Sequence, residues 1–425
     1  MKKILIILGS YFPKPSANGI CVKQIVEEFK SRGVDVSILA TQTKGLSEHE
    51  IIEDVNIFRV KSRWFYRALE FSEGYKQNNV KWIFQKLLLF INKFKNILFF
   101  PTWPLISPIY TYRYYKKASE LHKQYKYDGI LSVYTPIDSL IAGALIKRKY
   151  TDVKLMLYFL DTLSGGVVPK GFSRKWLEKR GYRWDEKLFN IADTIFVMKS
   201  HEHHYSKERY DKFRNKIKIV DIPLLRKLKN TYGKYEVNFN KEKINIVYTG
   251  TLLKHIKNPT YILNVFKNIK KNNQWNFHIF GGGDCDDLID KYIKRGEGVS
   301  VIKYGHVDSK IAINAMLDSD ILINIGSTVD TQIPSKIFEY MATGKPIISF
   351  YKYDTEPSMP YLNNYPLSLL IKEDWDKVDE SIRLTVDFIN KYNGKSINYS
   401  EIKDSYRNNT PELLVKYVVQ LIDKQ

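Results

Sequence analysis

The stretch Pro334-Ser335-Lys336-Ile337-Phe338-Glu339-Tyr340-Met341-Ala342-Thr343-Gly344-Lys345-Pro346-Ile347-Ile348-Ser349-Phe350 reads as a helix, a stop and a strand. Pro334-Ser335 opens the helix, with the Ser hydroxyl placed to cap its first backbone N–H groups. Ile337, Tyr340 and Met341 recur at helical spacing and predict one buried face. Gly344 suits the residue just past a helix end, and Pro346 prevents continuation. Ile347 to Phe350 is a short apolar strand. A helix start offers free N–H donors and positive partial charge, which together favour a phosphate. Lys336 adds a full charge there, and Glu339, about one turn on, can accept two hydroxyls, as from a ribose. The same residues also fit a plain amphipathic helix with Lys336 and Glu339 solvated, so the flanking chain has to decide.

Working back from this stretch, the second half of the chain alternates strand and helix. Strands are predicted at Ile244–Tyr248, Phe277–Phe280, Val299–Tyr304 and Asp320–Ile325. Helices carry Ile262, Leu263, Phe266 and Ile269, and later Lys310–Leu317. The first half has the same rhythm. Lys3–Leu8 is a strand, Val22, Ile25, Val26 and Phe29 line a helix ending at Gly33, and Val34–Ala40 is the next strand. Further strands fall at Gly129–Val133, Val153–Leu160, Thr194–Met198 and Ile217–Ile222. Strand, glycine-bearing loop, helix, strand is the opening unit of a doubly wound α/β domain. No G-x-G-x-x-G fingerprint is present, so a dinucleotide is not indicated. Residues 226–243, rich in Lys, Asn, Tyr and Gly without a period, mark a linker. The expected organisation is therefore an N-terminal domain over 1–225, a C-terminal domain over 244–400 and a helical segment over 401–425. That last segment is left to pack, and the N-terminal domain is one place for it.

A chain of 425 residues with 44% apolar content can build two cores. Two cysteines, Cys21 and Cys285, cannot form a disulfide framework, which favours a reducing, cytoplasmic compartment. Met1 to Gly9 superficially resembles a signal peptide, but its short apolar run is followed by Pro13, Lys14 and Pro15, and we read it as the first strand. No segment approaches the roughly 20 uncharged apolar residues that span a bilayer.

The formal charge of +21 is uneven, for residues 61–127 hold thirteen Lys or Arg against three Glu, a net of +10. Such an excess calls for an anionic partner. From Val80 to Phe100, Ile83, Leu87, Phe90, Ile91, Phe94, Ile97 and Leu98 share one helical face, with Lys81, Lys86 and Lys93 opposite. A wide apolar face beside a basic one is the pattern of a helix lying in a membrane interface. A pair of ordinary helices packed on the domain core would show it too. No nucleic-acid motif accompanies the charge, so the expected partner is an anionic membrane surface and not nucleic acid.

Several motifs occur in order. They are Pro13…Asn18-Gly19 before a helix, Tyr248-Thr249-Gly250-Thr251-Leu252…Lys257-Asn258-Pro259, and Phe280-Gly281-Gly282-Gly283-Asp284. Tyr304-Gly305-His306-Val307 and the Pro334–Pro346 stretch complete the series. The set resembles the retaining glycosyltransferases of the GT-B fold, glycosyltransferase family 4. The resemblance is densest over about 244–350, weaker over 1–40 and 150–225, and absent over 61–127. It implies two Rossmann-like domains facing across a cleft, with a nucleotide-sugar, UDP-linked by expectation, on the C-terminal domain. The acceptor, a lipid-linked or polysaccharide glycan of the cell surface, would lie on the N-terminal domain. Glu339 matches the family's ribose-binding glutamate and Lys257 its diphosphate-binding base. Gly19 matches the glycine that lets backbone approach the phosphate, and Ser335 and Lys336 complete the diphosphate site.

The departures are specific. The first acid of the E-x7-E pair falls at Thr331, beside Asp330, so these two residues are the candidates for holding the donor sugar. The usual phosphate-binding Arg falls at Thr251, with Lys254 nearby. The His common at the end of an N-domain strand is absent, and Leu160-Asp161 takes that place, which makes Asp161 the candidate catalytic residue. The resemblance implies front-face transfer aided by the leaving diphosphate, with no metal and no cofactor beyond the donor. A nucleotide-sugar epimerase of the same fold, or a non-catalytic partner that kept the fold, are the alternatives. His201-Glu202-His203-His204 lacks metal-ligand spacing and reads as a solvated helix start. Gly281 to Asp284 fits a phosphate cradle or a plain turn, and His278 and His306 read as structural.

Overall fold

A computed structural model describes residues 1–71, 83–91, 104, 106–163, 173–228, 237–269, 274–328 and 333–424. The chain divides into two compact units, Met1–Pro223 with Asn408–Gln425, and Leu224–Arg407.

The first unit is built on a sheet of order β3-β4-β2-β1-β5-β6-β7-β8. Its strands are β1 Lys3–Ile7, β2 Asp35–Gln42, β3 His49–Ile52, β4 Val55–Lys61, β5 Gly129–Tyr134, β6 Lys154–Phe159, β7 Thr194–Met198 and β8 Ile217–Val220. All neighbours pair in parallel except the β3–β4 hairpin at the edge. The central strands are buried on both faces, so they read as continuous apolar runs such as Ile4 to Ile7 and Leu155 to Phe159. One face is covered by the helices Pro108–Tyr125, Ile137–Lys149 and Arg174–Ile191. The other face receives the helix Ala17–Ser31 through Val22, Ile25, Val26 and Phe29.

The terminal helix Pro411–Asp423 packs on this same face through Leu413, Leu414, Val415, Val418 and Ile422. Five buried aliphatic side chains at about 1.5–3 kcal/mol each make it an integral layer of the first unit. Gly129 lies under it, where an added Cβ would approach Ile422 Cδ1 to 3.2 Å.

The second unit has the order β11-β10-β9-β12-β13-β14, all parallel. Its strands are β9 Ile244–Thr249, β10 Trp275–Phe280, β11 Ser300–Gly305, β12 Ile321–Ile325, β13 Ile347–Tyr351 and β14 Ser368–Lys372. The order reverses between β9 and β12, and in open α/β sheets ligands sit at such a switch point, outside the carboxyl ends of the strands. The helix Val378–Tyr392 covers the core through Phe388 and Ile389.

Of the helix expected over Val80 to Phe100, residues 83–91 are helical, while Phe94, Ile97 and Leu98 lie outside the described residues. Leu88 is buried, whereas Ile83, Phe84, Leu87, Leu89, Phe90 and Ile91 are exposed. Among the described residues, no helix is long and apolar enough to cross a membrane.

Candidate active site

The loop from β12 and the helix Lys336–Ala342 lie at the carboxyl edge of the second sheet. The helix buries Ile337, Phe338, Tyr340, Met341 and Ala342. Tyr340 fixes it to the switch point, because its hydroxyl accepts from Thr249 N–H at 2.8 Å and donates to Thr249 O at 3.2 Å. Gly344, at φ 76°, ends the helix as read from sequence, and a Cβ there would meet Ile397 O at 2.1 Å. Lys336 and Glu339 are left on the open side, one-third exposed and paired at 2.6 Å.

Two details differ from expectation. Ser335 is exposed, has helical backbone angles and makes no side-chain cap. A capping hydroxyl needs an extended backbone at its own residue, and Ser335 lacks it. The helix is also only seven residues long, so its summed dipole is small. Side-chain charge, more than the helix dipole, therefore sets the potential in this loop.

That charge is supplied from two directions. The loop after β9 folds back on itself, with Leu253 N–H donating to Lys257 O at 3.2 Å and Lys257 N–H to Leu253 O at 2.9 Å. This places Lys257 half-buried, within electrostatic reach of Lys336. Desolvation pulls the Lys257 ammonium below its usual pKa, Glu356 opposes the shift, and Lys336 adds to it. Glu356 is 1% exposed, and it accepts from Lys352 N–H at 3.1 Å and from the Ser358 hydroxyl at 2.9 Å. Gly326 has no side chain because a Cβ would come within 2.4 Å of Glu356 Oε2. Thr328 ties the loop after β12 to the Lys257 loop, its N–H donating to Ile256 O at 3.0 Å and its hydroxyl to His255 O at 2.8 Å. Lys257 thus lies within electrostatic reach of Lys336 and Glu356, and Lys336 pairs with Glu339, at the switch point. Sequence reading missed Glu356, since an isolated Glu in a loop carries no pattern. Two lysines here face two carboxylates, the buried Glu356 and the half-buried Glu339 that pairs with Lys336.

The remaining candidates on this unit separate. Thr251 is exposed, and its carbonyl accepts from the Tyr248 hydroxyl at 3.2 Å. Lys254 points elsewhere, for its ammonium pairs with Asp287 at 3.0 Å and its N–H donates to Asp284 Oδ1 at 2.7 Å. Asp330 and Thr331 lie outside the described residues. Gly281 and Gly283 answer to packing, because a Cβ on either would come within 1.8 Å of a carbonyl oxygen, Gly250 O or Leu252 O. The glycine run lets the loops after β9 and β10 touch backbone to backbone, which is the plain-turn reading.

On the first unit, Asp161 stands exposed just past β6. Tyr134, at the end of neighbouring β5, has its pKa pushed up to about 12 by burial, then by Asp161 and Asp185. His201, in the turn after β7, is lowered by burial, and Asp161 opposes that shift. Nothing in the residue pattern pointed to this neighbourhood of Asp161 and His201. Gly19 is demanded locally, since a Cβ would sit 2.5 Å from Ser10 O. The His201–His204 run is not a uniformly solvated start. Glu202 and His203 are exposed, while His204 Nε2 lies 3.0 Å from the Tyr210 hydroxyl. That hydroxyl in turn donates to fully buried Asp185 at 2.8 Å. His278 is structural, bridging Tyr304 and Asn245 at 3.1 and 3.0 Å.

Residues 243–358, the span holding Lys257, Lys336, Glu339 and Glu356, match the family of glycosyl transferases group 1. Three solved structures align with the chain over nearly its whole length. A glycosyltransferase from Rickettsia africae aligns at TM-score 0.56 and 13% identity, covering 100% of this chain and 98% of that one. A lipopolysaccharide outer core galactosyltransferase, WaaB, gives 0.53 at 12% identity, covering all of both chains. A trehalose-6-phosphate protein from E. coli bound with UDP-2-fluoro glucose gives 0.51 at 9% identity, covering 100% and 99%. The fold is GT-B. No curated protein matches the chain by sequence. At these identities the structural likeness speaks for the GT-B fold, and the group 1 match over the donor-side loops adds support for glycosyltransferase function.

Proposed function

We propose that this GT-B protein transfers a sugar from a nucleoside-diphosphate sugar, UDP-linked, to a lipid-linked or polysaccharide acceptor with retention. The reaction would belong to the assembly of cell-surface glycans. The observation that carries the donor half is that Lys257 lies within electrostatic reach of Lys336, itself paired with Glu339, at the switch point, inside the span matching the group 1 family. Breaking the bond between the sugar C1 and the diphosphate oxygen develops negative charge on the leaving group. Preorganised cations at that point stabilise the transition state more than the ground state. In this reading Lys336 leaves Glu339 for the phosphates, and the Glu339 carboxylate accepts the ribose hydroxyls. The acceptor oxygen bonds C1 on the face the diphosphate leaves, and its proton passes to a diphosphate oxygen. Asp161, with Tyr134 and His201 near it, would hold the acceptor on the first unit. UDP is favoured because a solved structure of this fold was determined with a UDP-sugar.

A thermal-shift screen against UDP, GDP, CDP and their sugars tests the donor class. A ligand at 100 times its Kd stabilises by about 2.7 kcal/mol, and UDP compounds are expected to give the largest shift. No shift with any nucleotide would remove the donor reading. The charge on the leaving diphosphate is met here by lysines, so turnover is expected to survive EDTA. Loss of activity restored by Mn²⁺ or Mg²⁺ would contradict that part.

The acceptor half includes a membrane surface, at the inner face of the cell membrane. Phe84, Leu87 and Phe90 are 38%, 52% and 67% exposed in a chain region of net charge +10. Each basic residue near an anionic surface contributes on the order of 1 kcal/mol, screened by salt. The protein is expected to co-sediment with vesicles containing anionic lipid, less with neutral lipid, and less in high salt. Replacing Phe84 and Phe90 with Ser should remove binding without unfolding, since both rings are outside the core. Unfolding would instead assign them to it.

A further inference from the structure

The loops after β9, β12 and β13 leave the second sheet side by side, since β12 pairs with both of the other strands. Lys257 lies in the first loop, Gly326 to Thr328 in the second and Glu356 in the third. The middle loop is tied on both sides. Thr328 bonds to Ile256 O and His255 O, and Gly326 N–H donates to Phe350 O at 2.7 Å. Glu356 meets this loop where it has no side chain, its Oε2 only 2.4 Å from the place a Cβ on Gly326 would take. The buried carboxylate and the lysine loop therefore flank the same short run of backbone.

Glu356 needs a countercharge. A carboxylate that is 1% exposed is costly unless an opposite charge accompanies it, and its bonds from Lys352 N–H and the Ser358 hydroxyl are both neutral. The Lys352 ammonium is committed to both Glu373 oxygens, at 2.8 and 2.7 Å. Lys257 is the opposite case. Among the described residues its half-buried ammonium makes no hydrogen bond and no ion pair. Burial pulls its pKa down, Glu356 supplies the opposing charge, and Lys336 adds to the fall. Lys336 has its own partner, Glu339 at 2.6 Å. Glu356 thus acts on Lys257 without contact, which leaves the N–H donors of that ammonium for a ligand.

We propose that Glu356 is a positioning residue of the donor site, which holds the Lys257 ammonium charged across the gap at Gly326 and leaves its donors to the diphosphate. The charge pairing stands on the three loops alone. Its service to a diphosphate rests on the nucleoside-diphosphate reading above.

The test uses the full-length protein and its Glu356→Gln variant. Acetylation of Lys257 by acetic anhydride, followed by peptide mass spectrometry from about pH 6 to 10, reads the charge of that ammonium without any nucleotide. The pH of half-reaction is expected to fall by about one unit or more in Glu356→Gln, while that of Lys254, paired with Asp287, stays the same. Glu356→Asp, which keeps the charge, should return at least part of the shift. UDP affinity, titrated calorimetrically, should follow. The ratio of variant to parent Kd is expected near one at low pH and to grow as pH rises, by about tenfold for a shift of about one unit. A merely structural role would displace Lys257 and weaken binding by the same factor at every pH. An unchanged half-reaction pH for Lys257, or a Kd ratio independent of pH, overturns the proposal. If Glu356→Gln fails to fold, Lys257→Met decides. It leaves Glu356 without a countercharge and should lower Tm by at least about 2 °C, whereas an unchanged Tm overturns the pairing. If UDP does not bind the parent protein, the donor reading falls, and the acetylation result alone decides whether Glu356 and Lys257 are paired.

Discussion

Glu339→Ala and Lys336→Ala are each expected to weaken UDP binding by roughly 10- to 150-fold, the worth of a hydrogen bond to a charged group. Stability should barely move. The two side chains form an i, i+3 pair, one-third exposed, on a short helix, and such pairs contribute about 0.2–0.5 kcal/mol. The contrast between a large loss of affinity and an unchanged Tm is what marks a binding role. The double variant should lose less than the sum of the singles, because each residue's partner before binding is the other. Calorimetric titration of the folded variants reads both effects. Full affinity in both single variants would return Lys336 and Glu339 to a solvated helix face.

The second large effect concerns Asp185. Burial pushes its carboxyl up to about 8, against the Tyr210 hydroxyl bond that favours the ionised form. In the unfolded chain the group ionises near 4, so between about pH 4 and 8 the folded state holds a proton the unfolded state has lost. Stability from this group is therefore complete below pH 4 and falls as pH rises to 8, by about 1.4 kcal/mol per pH unit. Neighbouring His204, lowered to about 4 chiefly by burial, acts oppositely. It is neutral when folded and charged when unfolded between about pH 4 and 6.5, so its contribution rises with pH there. The two nearly cancel below 6.5, and Asp185 dominates above.

Asp185→Asn keeps the acceptor for Tyr210 and removes the titration. The variant should be more stable than the parent at pH 7.5 by a few kcal/mol, with a gap that closes toward pH 4. Urea unfolding at several pH values measures it. A gap independent of pH would mean that Asp185 stays ionised in the folded protein.

The alternation of strand and helix was legible because the central strands, buried on both faces, are unbroken apolar runs. Thr194–Met198 matches the expected span to the residue, and the helix Pro411–Asp423 falls inside the expected 401–425 segment. Elements with mixed faces were missed. β3 contributes alternating exposed and half-buried positions at the sheet edge. The helix Val378–Tyr392 hides its buried face behind Ser381 and Thr385, which hydrogen-bond to each other through Thr385 Oγ1 and Ser381 O at 2.7 Å. At the site, Lys336 and Glu339 were legible from their place in a motif. Ser335 as a cap and Lys254 as a substitute phosphate ligand were not decided by sequence, because a backbone angle and the position of Asp287 settle them. Glu356 and Asp185 were invisible, since a buried carboxylate is recognised by what surrounds it and the surroundings come from distant segments.

Hydrogen–deuterium exchange of the whole chain with and without saturating UDP tests the central claim most directly. The account predicts slower exchange over 250–258 and 335–345, the segments holding Lys257, Lys336 and Glu339, with the loop at 43–46 on the first unit unchanged. Protection confined to the first unit, or none anywhere at saturating UDP, would contradict a donor site at this switch point.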